Sequence, residues 1–274
     1  MNPSRFLLTL VFVFTTLGLH AELPANIPPR QAAANDQSEY RRFTLDNDLK
    51  VILLSDPKLN KSSAALAVGV GSLSDPEDRQ GLAHFLEHML FLGTEKYPDE
   101  AEYGNYLKTN GGYNNAYTSR DHTNYHFEIR HEAFEGALDR MAQFFIAPLF
   151  TPEFTDREMN AVNSEFQKNL ESDGWRQYQL HCTQYPASHP ANHFNIGSRE
   201  TLGGTTREEL LAFHQAHYSA NTMTLAVVGK ASLDQLESWV RTYYAPIKNH
   251  HLKQLRFDPN FSPPKPALRL IRME

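Results

Sequence analysis

Cysteine is almost missing from this sequence. Cys182 is the only one in 274 residues, so no intrachain disulfide can form and no multi-cysteine zinc site can be built. A basic excess is missing too: 26 lysines and arginines stand against 32 aspartates and glutamates, for a net charge of −6. That balance gives no electrostatic reason to expect nucleic acid or an anionic membrane as a partner. No short-period repeat or low-complexity tract occurs. The apolar run at residues 6–19 is 14 residues long, short of the roughly 20 that a spanning helix needs.

That run follows Arg5 and precedes His20-Ala21-Glu22, the pattern of a signal peptide over residues 1–21 cut near Ala21. No cysteine follows it closely, which argues against a lipid anchor. The expectation is export, to the periplasm if the cell is Gram-negative, with no stable membrane anchor once the signal is removed. Residues 22–39 read as a flexible leader, 40–250 as the folded domain and 251–274 as a proline-rich linker towards a further domain.

What is present is a globular composition, 41% hydrophobic and 21% charged, in a chain long enough for a substantial core. Strands are expected at residues 40–44 and 50–54, with Asn47-Asp48 as their turn, and again at 64–70, 122–130 and 222–228. Helical spacing marks 100–109, 134–145, 206–217 and 233–243. Residues 175–203 are polar and broken by Pro186 and Pro190, and read as loop carrying His181, His189 and His193.

The chemistry concentrates in residues 81–91, GLAHFLEHMLF. At helical period His84 and His88 share a face one turn apart, with Glu87 beside the second. Ser74-Asp75-Pro76-Glu77 supplies opening signals and Gly93 a stop. The helix is apolar nearly all round, so it belongs in a core, where two histidines and a glutamate need partners. A zinc ion is such a partner: two imidazoles ligate it and a carboxylate takes a proton from water. The pentad H-x-x-E-H leaves one ligand to be found. On the helix expected at residues 152–170, Glu158 and Glu165 are two turns apart on one face, and either would serve.

Several motifs together resemble the N-terminal catalytic domain of the pitrilysin/insulinase family of zinc metallopeptidases. They are HFLEHMLFLGTEKYP at residues 84–98, NAYTS at 115–119, EGALDRMAQFF at 135–145 and REMNAVNSE at 157–165. The resemblance implies an α+β domain, a largely antiparallel sheet flanked by helices. It implies one Zn2+ per chain held by His84, His88 and Glu165, with Glu87 as general base. Glu158 would support the site without touching the metal. Asn115, Ala116 and Tyr117 would lie on an edge strand that pairs with extended peptide substrates. Family members are longer, and a homologous second half contributes arginine and tyrosine groups to substrate binding. Such a half, or a companion subunit, is therefore an expected partner. The function implied is a zinc-dependent endopeptidase; the alternative is a domain that binds peptide or a companion chain without turnover.

Overall fold

The computed structural model describes residues 32–255, and those from Asn35 onward belong to one compact unit. The expected signal peptide, most of the leader and most of the linker lie outside the described residues. Six strands form one sheet: β1 (Glu39–Thr44), β2 (Lys50–Ser55), β3 (Lys61–Val68), β4 (Tyr113–Thr118), β5 (Thr123–Arg130) and β6 (Met223–Gly229). Among the described residues eight α-helices accompany them: α1 (Leu82–Met89), α2 (Glu102–Thr109), α3 (Phe134–Ile146), α4 (Pro152–Leu170), α5 (Asp173–Cys182), α6 (Arg199–Leu202), α7 (Arg207–His217) and α8 (Leu233–Tyr244).

The strand order is β1-β2-β6-β3-β5-β4. Every neighbouring pair is antiparallel except β2–β6, so the α+β fold with a largely antiparallel sheet is as expected. The parallel pair joins strands separated by most of the chain, which leaves room for the crossover that parallel pairing requires. Alternation decides which face is buried: β3, β5 and β6 each hide every second residue. Register then aligns Val51, Leu225, Leu66 and Tyr125 in one row across the sheet, all buried. The row ends at Ala116 on β4, so Asn114, Ala116 and Thr118 face the same side as the core.

Helix α3 packs on β3 and β5, α8 on β1 and β2, and α1 on β4. Sequence signals explain the helix starts. Thr206 and Glu209 form a reciprocal capping box on α7, Ser232 caps α8 through the Gln235 amide, and Pro152 occupies the first turn of α4.

One expectation is corrected. Within residues 175–203, read as loop, residues 175–182 belong to helix α5 and Arg199–Leu202 form the short helix α6. The first residues of α5 are polar, and its cohesion comes from elsewhere: Cys182 is fully buried, and Trp175 and Tyr178 ring-pack against Phe194. Tertiary packing overrides weak local periodicity here.

Candidate metal centre

Helix α1 starts later than its upstream signals suggest, at Leu82. The opening residue, Gly81, has φ +91, and a Cβ there would lie 2.3 Å from Gly197 Cα. Only glycine fits both demands. Asp75, six and eight residues upstream, still caps the helix: its carboxylate accepts from the Gly81 and Ala83 amides, each at 2.8 Å. Burial pushes the Asp75 carboxyl up to about 7, against the pull of those two amides.

The Gly81–Gly197 contact has a consequence for the site. It sets the 196–197 backbone against α1, where the Ile196 carbonyl lies 2.8 Å from His84 Nδ1. With Nδ1–H donated to that carbonyl, His84 keeps its Nε2 lone pair free. His88 is held similarly, with Nδ1 3.5 Å from Glu158 Oε2. Both free Nε2 atoms point at one carboxylate: His84 Nε2 is 3.5 Å from Glu165 Oε2, and His88 Nε2 is 4.0 Å from Glu165 Oε1.

Burial, followed by the neighbouring His88, lowers the His84 pKa, which favours the neutral, ligating imidazole. For His88 burial also acts downward, but the Glu158 hydrogen bond and the surrounding glutamates outweigh it and raise the pKa. Reciprocally, the bond to His88 holds the Glu158 carboxyl below its usual range. Glu87 is buried, and Thr118 donates to its Oε2 at 2.5 Å. Burial pushes Glu87 up to about 7, more than the Thr118 bond pulls it down. A carboxyl in that range can take and return a proton near neutrality.

The donor set fits zinc. Ligating atoms of His84, His88 and Glu165 lie within 4.8 Å of one another. Ligands about 2.0–2.1 Å from a tetrahedral ion stand roughly 3.4 Å apart, so the 3.5 and 4.0 Å gaps close with small side-chain shifts. Two imidazoles and a carboxylate are also a known catalytic-zinc combination.

A cleft of about 540 Å³ opens over these groups, between α1, β4, α4 and the Trp175–Asn195 side. Every site residue expected from the sequence borders it: His84, Glu87, His88, Asn115, Ala116, Tyr117, Glu158 and Glu165. Strand β4 is the sheet edge on this side. Asn115 and Tyr117 are exposed while Ala116 faces inward, so a partner strand would meet their backbone. Asp75 lies within the expected opening signal, whereas the Ile196 carbonyl on His84 and the grip of Thr118 on Glu87 come from the fold. Thr118 lay within a motif already singled out, whereas nothing local marked Ile196.

The model of the family Insulinase (Peptidase family M16) matches residues 50–186, half of the chain, and that of the Peptidase M16 inactive domain matches 205–273. The chain belongs to the insulinase family, peptidase family M16. It is similar to human insulin-degrading enzyme, 49% identical over 224 residues covering 79% of this chain and 22% of that protein. A Schizosaccharomyces pombe protein with zinc protease in its name is 47% identical over 235 residues, 83% of this chain and 24% of that one. The crystal structure of pitrilysin superposes with a TM-score of 0.80 at 36% identity, covering 83% of this chain and 25% of that one. The chain thus spans about a quarter or less of the length of these relatives.

Proposed function

We propose that the chain binds one Zn2+ through His84, His88 and Glu165 and hydrolyses peptide bonds, with Glu87 as the general base. The observation that carries this reading is the convergence of three oriented donors beside a buried carboxylate in a cleft bordered by an open strand edge. Zinc, when bound there, acidifies water and polarises the peptide carbonyl. The chain's own residues do the rest. Glu87 accepts the proton of the attacking water at a carboxylate oxygen and returns it to the departing amine. Thr118 keeps that carboxylate aimed, and Glu158 and the Ile196 carbonyl fix the two imidazoles. The outer side of β4 aligns an extended peptide by backbone hydrogen bonds, with little demand on its side chains.

The relatives are several times longer, so substrate enclosure by a homologous second half or subunit belongs to the same proposal. Export to the periplasm is supported by the apolar run at residues 6–19 after Arg5; fractionation of cells expressing the chain tests it. The deciding experiment for activity is cleavage of a fluorogenic peptide by the zinc-loaded chain and by Glu87→Gln, with metal content measured on both. Turnover that needs Glu87 at equal zinc content supports the reading. Equal turnover by both proteins refutes Glu87 as base. A folded, zinc-loaded chain that binds the peptide without cutting it favours the non-turnover alternative.

A further inference from the structure

Two residues beyond Thr118 the chain holds a cation with no acidic partner among the described residues. The Arg120 guanidinium donates to two phenols and a thiol: Nε to Tyr178 at 3.2 Å, Nη1 to Tyr185 at 3.3 Å and Nη2 to Cys182 Sγ at 3.6 Å. Its charge also faces the rings of Tyr178 and Tyr185, at 5.2 and 5.5 Å. Among the described residues no carboxylate is paired with it. The adjacent acid, Asp121, points to His122 instead, Oδ1 to Nδ1 at 2.8 Å.

The guanidinium is held in place from both ends. The Ser119 and Arg120 carbonyls accept from the Ser72 and Leu73 amides at 3.0 and 2.9 Å. Gly71 lies so close behind them that a Cβ would stand 2.4 Å from the Ser119 oxygen. Phenol hydroxyls and rings fix the head group, so little side-chain entropy is left to lose when an anion arrives. An unneutralised, pre-positioned guanidinium is suited to a carboxylate, which it can meet with two parallel hydrogen bonds.

Arg120 borders a second cleft, of about 620 Å³, and that cleft adjoins the catalytic one: both are bordered by Tyr117, Thr118, Trp175 and Asn195. At the junction the buried Asn195 Oδ1 has no hydrogen-bond partner among the described residues. A peptide lying along β4 and running past Thr118 therefore enters the Arg120 cleft within a few residues, at about 3.3 Å per residue.

We propose that Arg120 is a specificity residue that selects peptides carrying an acidic side chain a few residues from the bond placed at Glu87, on the side that passes Ser119. This rests on the peptidase reading above, and the test separates the two. The full chain bearing Glu87→Gln, zinc-loaded, is titrated with a series of fluorescent peptides in which a single Glu is moved along the sequence. Each is paired with its Gln counterpart.

The expected result is roughly tenfold tighter binding of the Glu peptide, confined to positions on one side of the central bond and fading as salt is raised. In Arg120→Gln that preference disappears while the Gln peptides bind as before, and Arg120→Glu prefers a Lys peptide at the same positions. Equal affinities for Glu and Gln peptides at every position overturn the assignment of Arg120 and leave peptide binding standing. So does a preference that survives in Arg120→Gln. Absence of binding by every peptide overturns both readings. If loss of the phenol contacts unfolds Arg120→Gln, Arg120→Lys keeps the charge without the paired donors and should weaken the Glu preference, and an undiminished preference there overturns the assignment.

Discussion

The two walls of the metal centre are built differently. The inner wall, α1, buries six of its eight residues, and Leu82, Ala83, Phe85, Leu86, Glu87 and Met89 all belong to the core or its lining. The outer wall, α4, is 19 residues long but buries only Thr155, Met159 and Val162. The difference reaches the site itself: the His84 and His88 side chains are 15% and 19% exposed, and that of Glu165 is 50% exposed. His84, His88 and Glu87 are thus positioned by close packing with or without a metal, since a core admits few alternative rotamers. Glu165 stands on a half-solvated helix, so in the proposed zinc site its ordering would have an entropic cost for metal binding to offset.

Core packing gives the sharpest contrast. Phe85→Ala should cost about 3–5 kcal/mol of stability in chemical denaturation, through lost burial and the cavity left behind. On the outer wall Phe166, partly buried against Phe194 with ring centroids 5.7 Å apart, should cost roughly 1 kcal/mol when cut to alanine. Equal losses would erase the distinction between the walls.

Acid should weaken the support beneath the inner wall. His214 on α7, a helix that packs against α1, is buried with Nε2 3.2 Å from the Phe144 carbonyl. Burial lowers its pKa from 6.5 to about 4, with a small contribution from His250. Between those values the unfolded chain binds more protons than the folded one, so stability falls as pH drops from about 6.5 to 4. The loss is on the order of 3 kcal/mol. His214→Gln should flatten that part of the stability–pH curve, and an unchanged slope would dismiss His214 as its source.

At the metal itself Glu165→Gln should lower zinc affinity by more than about 100-fold, beyond the 10–100-fold loss usual for groups that only orient ligands. Its thermal unfolding without metal should stay near that of the parent chain, because half of the side chain is already in water. Zinc affinity unchanged by competition titration would remove Glu165 from the ligand set. Glu158→Gln is the smaller of the two changes at the metal. Losing the ionic hold on His88 Nδ1 should weaken zinc by about 10–100-fold while leaving Glu165 able to bind. A loss as large as that of Glu165→Gln would mean that the two glutamates act alike and that the outer wall has no division of labour.

Much of this was legible in the chain because it depends on short-range periodicity. The four-residue spacing of His84 and His88 and the seven-residue spacing of Glu158 and Glu165 need only a helix to put each pair on one face. Strand β5 could be read from the alternation of Tyr125, Phe127 and Ile129, and β2 and β6 from short apolar runs. Helix α5 could not: its stability rests on Cys182, Trp175 and Tyr178 meeting residues that lie distant from them in sequence or in irregular chain. Spacing left Glu158 and Glu165 equal; the family resemblance names Glu165, whose carboxylate lies near both Nε2 atoms.

By itself, then, the sequence determined the local chemistry: two imidazoles and a carboxylate on one buried helix, two candidate carboxylates on another, and a strand with an open period-two pattern. Tertiary structure decided which of these groups meet and in what state. Thr118 came to grip Glu87 because β4 ends beside α1, and the Ile196 carbonyl came to orient His84 because Gly81 and Gly197 allow two backbones to touch. Arg120 has no carboxylate partner among the described residues, and Asp121, its neighbour in the chain, turns to His122. The reason is common to all three. Hydrogen bonds and burial act over a few ångströms in space, and those distances are fixed by how helices and sheet pack, which no local spacing records.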